Sequence, residues 1–195
     1  MLVEPLFPVP IYVCQVADKL NIQKECLDSV NKFGASFFSK SPVVDPISHS
    51  LSDPTFTSNL IADIGLVHIE KEIHQQVTNY LLQLGHRSIQ SFKIVASWMT
   101  HTAPKEYTPV HDHASADLSG VYYIKTNGQD GEIFFMDPNP AMNATYCFST
   151  LPKRYAHAPE EGKMVIFPGW LLHGVNSNQT DDVRISISFN ILFDR

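Results

Sequence analysis

From about residue 89 onward the chain is a succession of short apolar segments broken by turn signals, and this pattern restricts its fold more than any other feature. Segments 90–100, 118–126, 131–136, 144–149, 163–167 and 183–193 each read as a strand, with NGQDG (127–131) and PEEG (159–162) as turns between them. Short strands of this kind are stable only when paired and covered on one face. Ahead of them, two stretches carry apolar residues near the helical period. Residues 18–33 do so through Leu20, Cys26, Leu27, Val30 and Phe33. Residues 58–84 do so through Ile61, Ile64, Ile69, Ile73, Val77, Tyr80, Leu81 and Leu84, with Gly85 as a natural stop. Helices followed by many short strands predict a mostly β protein with flanking helices. The expected core is a double-stranded β-helix, or jelly roll, over about 89–193, buttressed by helical support over about 18–84. Residues 6–16 (LFPVPIYVCQV) read as an early strand that their prolines confine to a sheet edge or start, and 36–56, rich in Ser, Pro and Asp, as loop. With no repeat, low-complexity tract or linker, the expectation is one domain over 1–195.

Composition narrows the function classes. At 195 residues and 44% hydrophobic, the chain has material for one sizeable core. A net charge of −6 without any Lys/Arg-rich run argues against nucleic acid or an anionic membrane as partner, while leaving room for a local basic pocket for a small acid. Cys14, Cys26 and Cys147 are scattered and odd in number, which argues against a disulfide framework or thiolate-bound zinc and fits a reducing cytoplasm. The start, MLVEPLFPVPIYV, lacks a basic leader and a small-residue cleavage site, and no uncharged apolar stretch approaches membrane-spanning length. A cytoplasmic protein is expected, or one of the host cytoplasm if it is viral; the oligomeric state is not readable.

Six of the nine histidines (His49, His68, His74, His86, His101 and His157) have ordinary readings as helix-surface or loop residues. His111 and His113 differ. They lie two apart in VHDHASADLSGVYYI, so an extended backbone would turn both imidazoles to one side. His173, in FPGWLLHGV, follows His111 by 62 residues, and a jelly roll folds such distant segments over each other. Two or three protein ligands on one face, with open positions opposite, is what a non-haem iron centre requires. Two loop histidines and one buried, hydrogen-bonded histidine would leave the same trace.

The strand VRISISFNI (183–191) adds a second function. It alternates Arg184, Ser186, Ser188 and Asn190 with Ile185, Ile187, Phe189 and Ile191. If the polar face lines the barrel, it makes a cationic pocket 11 residues beyond His173, in which an arginine fork suits a carboxylate and Ser186 can assist. The competing reading is an edge strand with a surface arginine. Trp98 and Trp170 read as core anchors, Trp170 with an alternative place at a pocket mouth.

Together these residues resemble the 2-oxoglutarate/Fe(II)-dependent dioxygenases, whose pattern is His-x-Asp/Glu, a distal His, and an Arg about ten residues later with a Ser two beyond. The segments LFPVPIY, HDHASADLSGVYY, EGKMVIFPGWLLHGVNSN and RISISFN are similar to a branch found in marine phages and bacteria. The resemblance covers residues 6–12 weakly and about 95–193 well. It implies His111 and His173 as iron ligands and Arg184, Ser186 and Tyr123 (in GVYYIK, similar to a prolyl hydroxylase strand) as holders of the far carboxylate of 2-oxoglutarate. It implies Fe(II) and O2 as the other reactants, oxidative decarboxylation to succinate and CO2, and hydroxylation of a C–H bond. The sequence departs from the pattern where the family has a carboxylate. His113 stands there, and His113, Asp112, Asp117 or water are the candidates for the third position. His113 is favoured because it keeps the two-residue spacing. A two-histidine, halide-binding variant exists in the wider superfamily, and nothing in this sequence selects halogenation. The substrate is open: a prolyl or other amino-acid residue of a protein, a free amino acid or a small metabolite. Loops at 36–56, 101–110 and 137–145 are the expected specificity elements. Two other readings stand beside this one. A cupin-like metal enzyme would use the histidines without 2-oxoglutarate, and a non-catalytic jelly-roll binding module would need no metal.

Overall fold

The computed structural model describes residues 8–40, 48–52, 58–139, 141, 146 and 149–194. In chain order the elements are β1 (Tyr12–Gln15), α1 (Lys19–Phe33), a 3-10 turn (Gly34–Phe37), β2 (Phe38–Lys40), β3 (Ser50–Ser52), α2 (Leu60–Ile64), α3 (Val67–Gln83), β4 (Phe92–Thr102), β5 (Thr108–His111), β6 (Leu118–Lys125), β7 (Ile133–Met136), β8 (Arg154–His157), β9 (Lys163–Pro168), β10 (His173–Val175) and β11 (Arg184–Phe193). They form a seven-stranded sheet in the order β1-β9-β6-β11-β4-β3-β2 and a four-stranded sheet in the order β5-β10-β7-β8. Every ladder between named strands is antiparallel. This is the jelly roll expected from the strand pattern, with helices on one side.

Strand alternation divides the interior into two layers. On the outer face of the large sheet, Met99, Leu118, Tyr122, Ile124, Met164, Ile166, Ile185, Ile187, Phe189 and Ile191 pack against the helices. The helices contribute Ile22 and Cys26 from α1, Leu60 and Ile61 from α2, and Ile69, Ile73, Val77, Tyr80 and Leu81 from α3. Between the sheets, Val121, Tyr123, Ile133, Phe135, Val165, Phe167 and Leu171 form a second, smaller cluster. β6 lies under both layers, and only Lys125 at its end is exposed. Each fully buried aliphatic side chain in these layers contributes on the order of 1.5–3 kcal/mol. Phe189 lies over Gly120 so closely that a Cβ there would sit 2.3 Å from its ring.

Three expectations are corrected. The helical stretch 58–84 is two helices, because Gly65 takes φ 71° after α2 and Leu66 N–H reaches back to Ile61 O at 3.0 Å. The apolar period runs on across the break, which hides it. Residues 38–40 and 50–52, read as loop, are strands that extend the large sheet beyond β4. Trp170 is not a core anchor: it is 52% exposed in the turn after β9. The strand expected over 144–149, Cys147, and most of the 41–57 and 140–148 loops lie outside the described residues. The early strand is β1, at the edge of the large sheet as its prolines suggested. No described helix is long and apolar enough to cross a membrane.

Candidate metal and cosubstrate site

β5 and β10 are neighbours in the small sheet, and their register sets His111 directly opposite His173. Beyond the end of β5 the backbone curls so that His113 N–H donates to Gly169 O at 2.7 Å, while Gly169 N–H donates to Asp117 O at 3.2 Å. The loops after β5 and after β9 are thereby fastened together. Only glycine fits at 169, since a Cβ would lie 2.2 Å from Ala116 O and 2.7 Å from His113 O. The outcome is a cluster of three imidazoles, with ring centres 4.9 Å apart for His111–His113, 4.4 Å for His111–His173 and 5.2 Å for His113–His173. One ligand atom from each lies within 4.8 Å of the others. Bonds of about 2.1 Å to one ion span at most ~4.2 Å between donors, so a small inward shift suffices.

The protonation state suits ligation. His111 Nδ1 lies 2.8 Å from Pro109 O and His173 Nδ1 lies 2.9 Å from Leu171 O. A carbonyl can only accept, so each Nδ1 carries the proton and each Nε2 keeps its lone pair. Burial holds His173 down to about 3, helped by the neighbouring His111 and His113 and opposed by its bond to Leu171 O. Burial, and then His111, bring His113 down to about 4. Both are neutral at physiological pH. The two other candidate ligands are placed elsewhere. Asp112 is exposed and accepts Ala114 N–H at 3.1 Å, and Asp117 accepts Phe193 N–H at 2.9 Å.

The triad opens onto a cavity of about 70 Å3, several times what one water needs, whose far wall is the polar face of β11 with Arg184, Ser186 and Ser188. Registers explain the rest of that wall: Arg184 pairs with Thr102, Ser186 with Thr100 and Ser188 with Trp98 on β4, while Ser186 pairs with Tyr123 and Ser188 with Val121 on β6. Trp98 therefore lines the cavity and tilts against His113 at 5.6 Å, where a core position was expected. His49, by sequence an ordinary loop residue, also lines it. Burial, then the nearby His111 and Arg184 charges, hold His49 below its ordinary value, against the opposing bond to Tyr107 O.

Arg184 is 2% exposed. Its Nη1 donates to Asp130 O at 2.8 Å and Gly131 O at 2.6 Å, and its Nη2 donates to Thr102 Oγ1 at 2.9 Å. The NGQDG turn supplies both carbonyls, and Gly131, at φ 106°, leaves the room: a Cβ there would lie 2.2 Å from Asn176 O and 3.0 Å from Nη1. No described carboxylate forms an ion pair with this guanidinium. Its Nε and the Tyr123 hydroxyl are the two buried side-chain polar atoms without a hydrogen-bond partner among the described residues. Burial pushes Tyr123 up to about 12, opposed by Arg184, and burial lowers Arg184 from its ordinary value. An uncompensated buried cation beside an unmatched hydroxyl is costly in the free protein and complementary to an anion with several acceptor oxygens.

Residues 96–190, from within β4 to within β11, match the family model described as "Putative 2OG-Fe(II) oxygenase". The matched stretch, just under half of the chain, is that of a 2-oxoglutarate/Fe(II) oxygenase. No curated protein matches the sequence. Among solved structures, the oxygenase is similar in fold to the non-haem α-ketoglutarate-dependent carbocyclase SnoK from nogalamycin biosynthesis, with TM-score 0.64, 12% identity, and coverage of 94% of this chain and 79% of that one. It is similar to AviO1 from Streptomyces viridochromogenes Tue57, with TM-score 0.62, 13% identity, and coverage of 95% and 90%. It is also similar to HygX from Streptomyces hygroscopicus, solved with nickel and 2-oxoglutarate bound, with TM-score 0.57, 10% identity, and coverage of 94% and 82%. At these identities the likeness concerns the fold. The oxygenase family uses Fe(II), 2-oxoglutarate and O2.

Proposed function

We propose that His111, His113 and His173 hold one Fe(II) through Nε2, and that Arg184, with Tyr123 and Ser186, takes the far carboxylate of 2-oxoglutarate. The observation that carries this reading is the pair of unmatched buried atoms, Tyr123 OH and Arg184 Nε, in residues that line the same cavity as the imidazole triad. One end offers lone pairs to a cation, and the other offers donors to an anion. A 2-keto dicarboxylic acid would chelate the ion with one end and offer its other carboxylate to those donors. The iron and cosubstrate, when bound, supply the oxidising chemistry by which O2 and 2-oxoglutarate become succinate and CO2 and one oxygen atom enters a C–H bond of the substrate.

The chain's own residues do the positioning. The carbonyls of Pro109 and Leu171 fix ring orientation and tautomer for two ligands. Asp130 O, Gly131 O and Thr102 Oγ1 immobilise Arg184, so little side-chain entropy is lost when the carboxylate docks. Val121, Ile133, Phe167 and Val175 give the rest of the cavity an apolar wall that excludes water. A third histidine in place of a carboxylate leaves the metal set neutral, so the anionic cosubstrate carries more of the charge balance.

The reading extends to one oxygenase domain over the sequence given, with segments 36–56, 101–110 and 137–145 choosing the substrate, an amino-acid residue of a protein or a small molecule. A cytoplasmic setting and membership of the marine phage and bacterial branch belong to the same proposal. The test is an anaerobic titration of Fe(II)-loaded protein with 2-oxoglutarate. A visible metal-to-ligand charge-transfer band that saturates is expected. No band and no calorimetric binding would favour a cupin-like enzyme, and a melt indifferent to metal would favour a non-catalytic module.

A further inference from the structure

Every cavity-lining residue lies within the family-matched stretch 96–190 except one, His49. It arrives from outside that stretch on the β2–β3 arm, and its backbone is fastened on both sides. Ser48 bridges to Tyr107, His49 N–H donates to Tyr107 O at 3.1 Å, and Ser50 and Leu51 pair with His101 and Thr100 of β4. Lys40 donates to Ser48 O at 2.5 Å and forms an ion pair with Glu106, whose other oxygen accepts Ala103 N–H at 2.7 Å. On the ring, Nδ1 is the nitrogen nearest the β5 strand, 3.2 Å from Tyr107 O and 3.2 Å from Thr108 Oγ1. Nε2 is the nitrogen left for the cavity.

We propose that His49 is a binding residue for the cosubstrate, donating from Nε2 to the far carboxylate bound by Arg184 while its Nδ1–H is held by Tyr107 O and Thr108 Oγ1. This rests on the reading of Arg184 given above. A carbonyl only accepts, so Nδ1 carries a proton toward Tyr107 O with Thr108 Oγ1 beside it, and an anion in the cavity selects the imidazolium, whose Nε2 also carries a proton. The consequence is an anion site built partly by residues within 96–190 and partly by an arm outside that stretch.

The test is calorimetry on Mn(II)-loaded protein with two probes, 2-oxoglutarate and 2-oxobutyrate, which lacks the far carboxylate. A hydrogen bond to a charged group predicts that His49→Phe weakens 2-oxoglutarate roughly tenfold or more. His49→Gln, which keeps a donor near Nε2, restores most of that loss, and 2-oxobutyrate affinity is the same in all three proteins. Thr108→Val carries the same comparison should His49→Phe fail to fold, and a loss confined to 2-oxoglutarate is expected there too. Unchanged 2-oxoglutarate affinity in His49→Phe, equal losses for both probes, or no rescue by His49→Gln would overturn the proposal. Failure of the wild-type protein to bind 2-oxoglutarate at all would remove the Arg184 reading first. Loss of binding in Arg184→Met with none in His49→Phe would remove only the role of His49.

Discussion

Tyr123→Phe separates a functional hydroxyl from a structural one, because the two effects have opposite signs. The Tyr123 ring is 2% exposed and its hydroxyl has no protein partner among the described residues. In the unfolded chain that hydroxyl is hydrated, so folding leaves it with a desolvation cost of about 1–3 kcal/mol. Phenylalanine keeps the packing against Val121 and Ile133 and removes the cost. The metal-free variant should therefore be more stable by about 1–3 kcal/mol, a rise of roughly 2–4 °C in Tm per kcal/mol for a chain of this size. With Mn(II) and 2-oxoglutarate the order should reverse in affinity. One charge-assisted hydrogen bond is lost, about 1.5–3 kcal/mol, or roughly 10- to 100-fold in Kd. Paired thermal melts with and without 2-oxoglutarate, plus calorimetry, measure both. A variant less stable than wild type without ligand and equal to it in 2-oxoglutarate affinity would refute the assignment, since the hydroxyl would then be satisfied within the fold.

Three further outcomes are expected. Arg184→Met should retain Mn(II) binding while losing 2-oxoglutarate binding by at least about 100-fold, consistent with removing one partner of a buried charge pair, whereas His173→Ala should lose both; calorimetry with each ligand distinguishes them. Gly169→Ala drives a Cβ into Ala116 O and His113 O and should part the two loops, destabilising the fold by about 1–3 kcal/mol and weakening Mn(II) binding about 10- to 100-fold, as read by melting and metal titration. Acid should destabilise the metal-free protein: the unfolded chain protonates His173 and His113 near 6.5, the folded chain only near 3 and 4, so their contribution is whole above about pH 6.5 and is lost as the pH falls from there toward 3. Melts from pH 7.5 to 4 should show this slope, and His173→Phe should flatten it.

What the sequence revealed follows from what alternation and spacing can carry. The two faces of β11 are legible because eight residues of strict alternation, Arg184 to Ile191, with an arginine at the head admit few placements. The pairing of His111 with His173 was legible only as a spacing, and the sheet register makes it a contact. β5, β8 and β10 are four, four and three residues long, too short for a period-two signal to stand out. β2 and β3 read as loop because their Ser-rich sequences favour turns, and their strand state comes from β3 pairing with the edge of β4 and β2 with β3. The same long-range pairing brings His49 to the cavity, and no local signal distinguished it from His86 or His157. Trp98 reads as core because large aromatics usually sit there, but the register opposite Ser188 turns it to the lumen. The NGQDG turn was legible as a turn, and its second role, two carbonyls aimed at Arg184, depends on a partner more than fifty residues away.

The most direct measurement is a crystal structure of the protein grown with Mn(II) and 2-oxoglutarate, with anomalous data at the manganese edge. One anomalous peak bonded to Nε2 of His111, His113 and His173 is predicted, with the far carboxylate of 2-oxoglutarate against Arg184 and Tyr123. A metal bound through Asp112 or Asp117, or a dicarboxylate seated away from Arg184, would contradict the account.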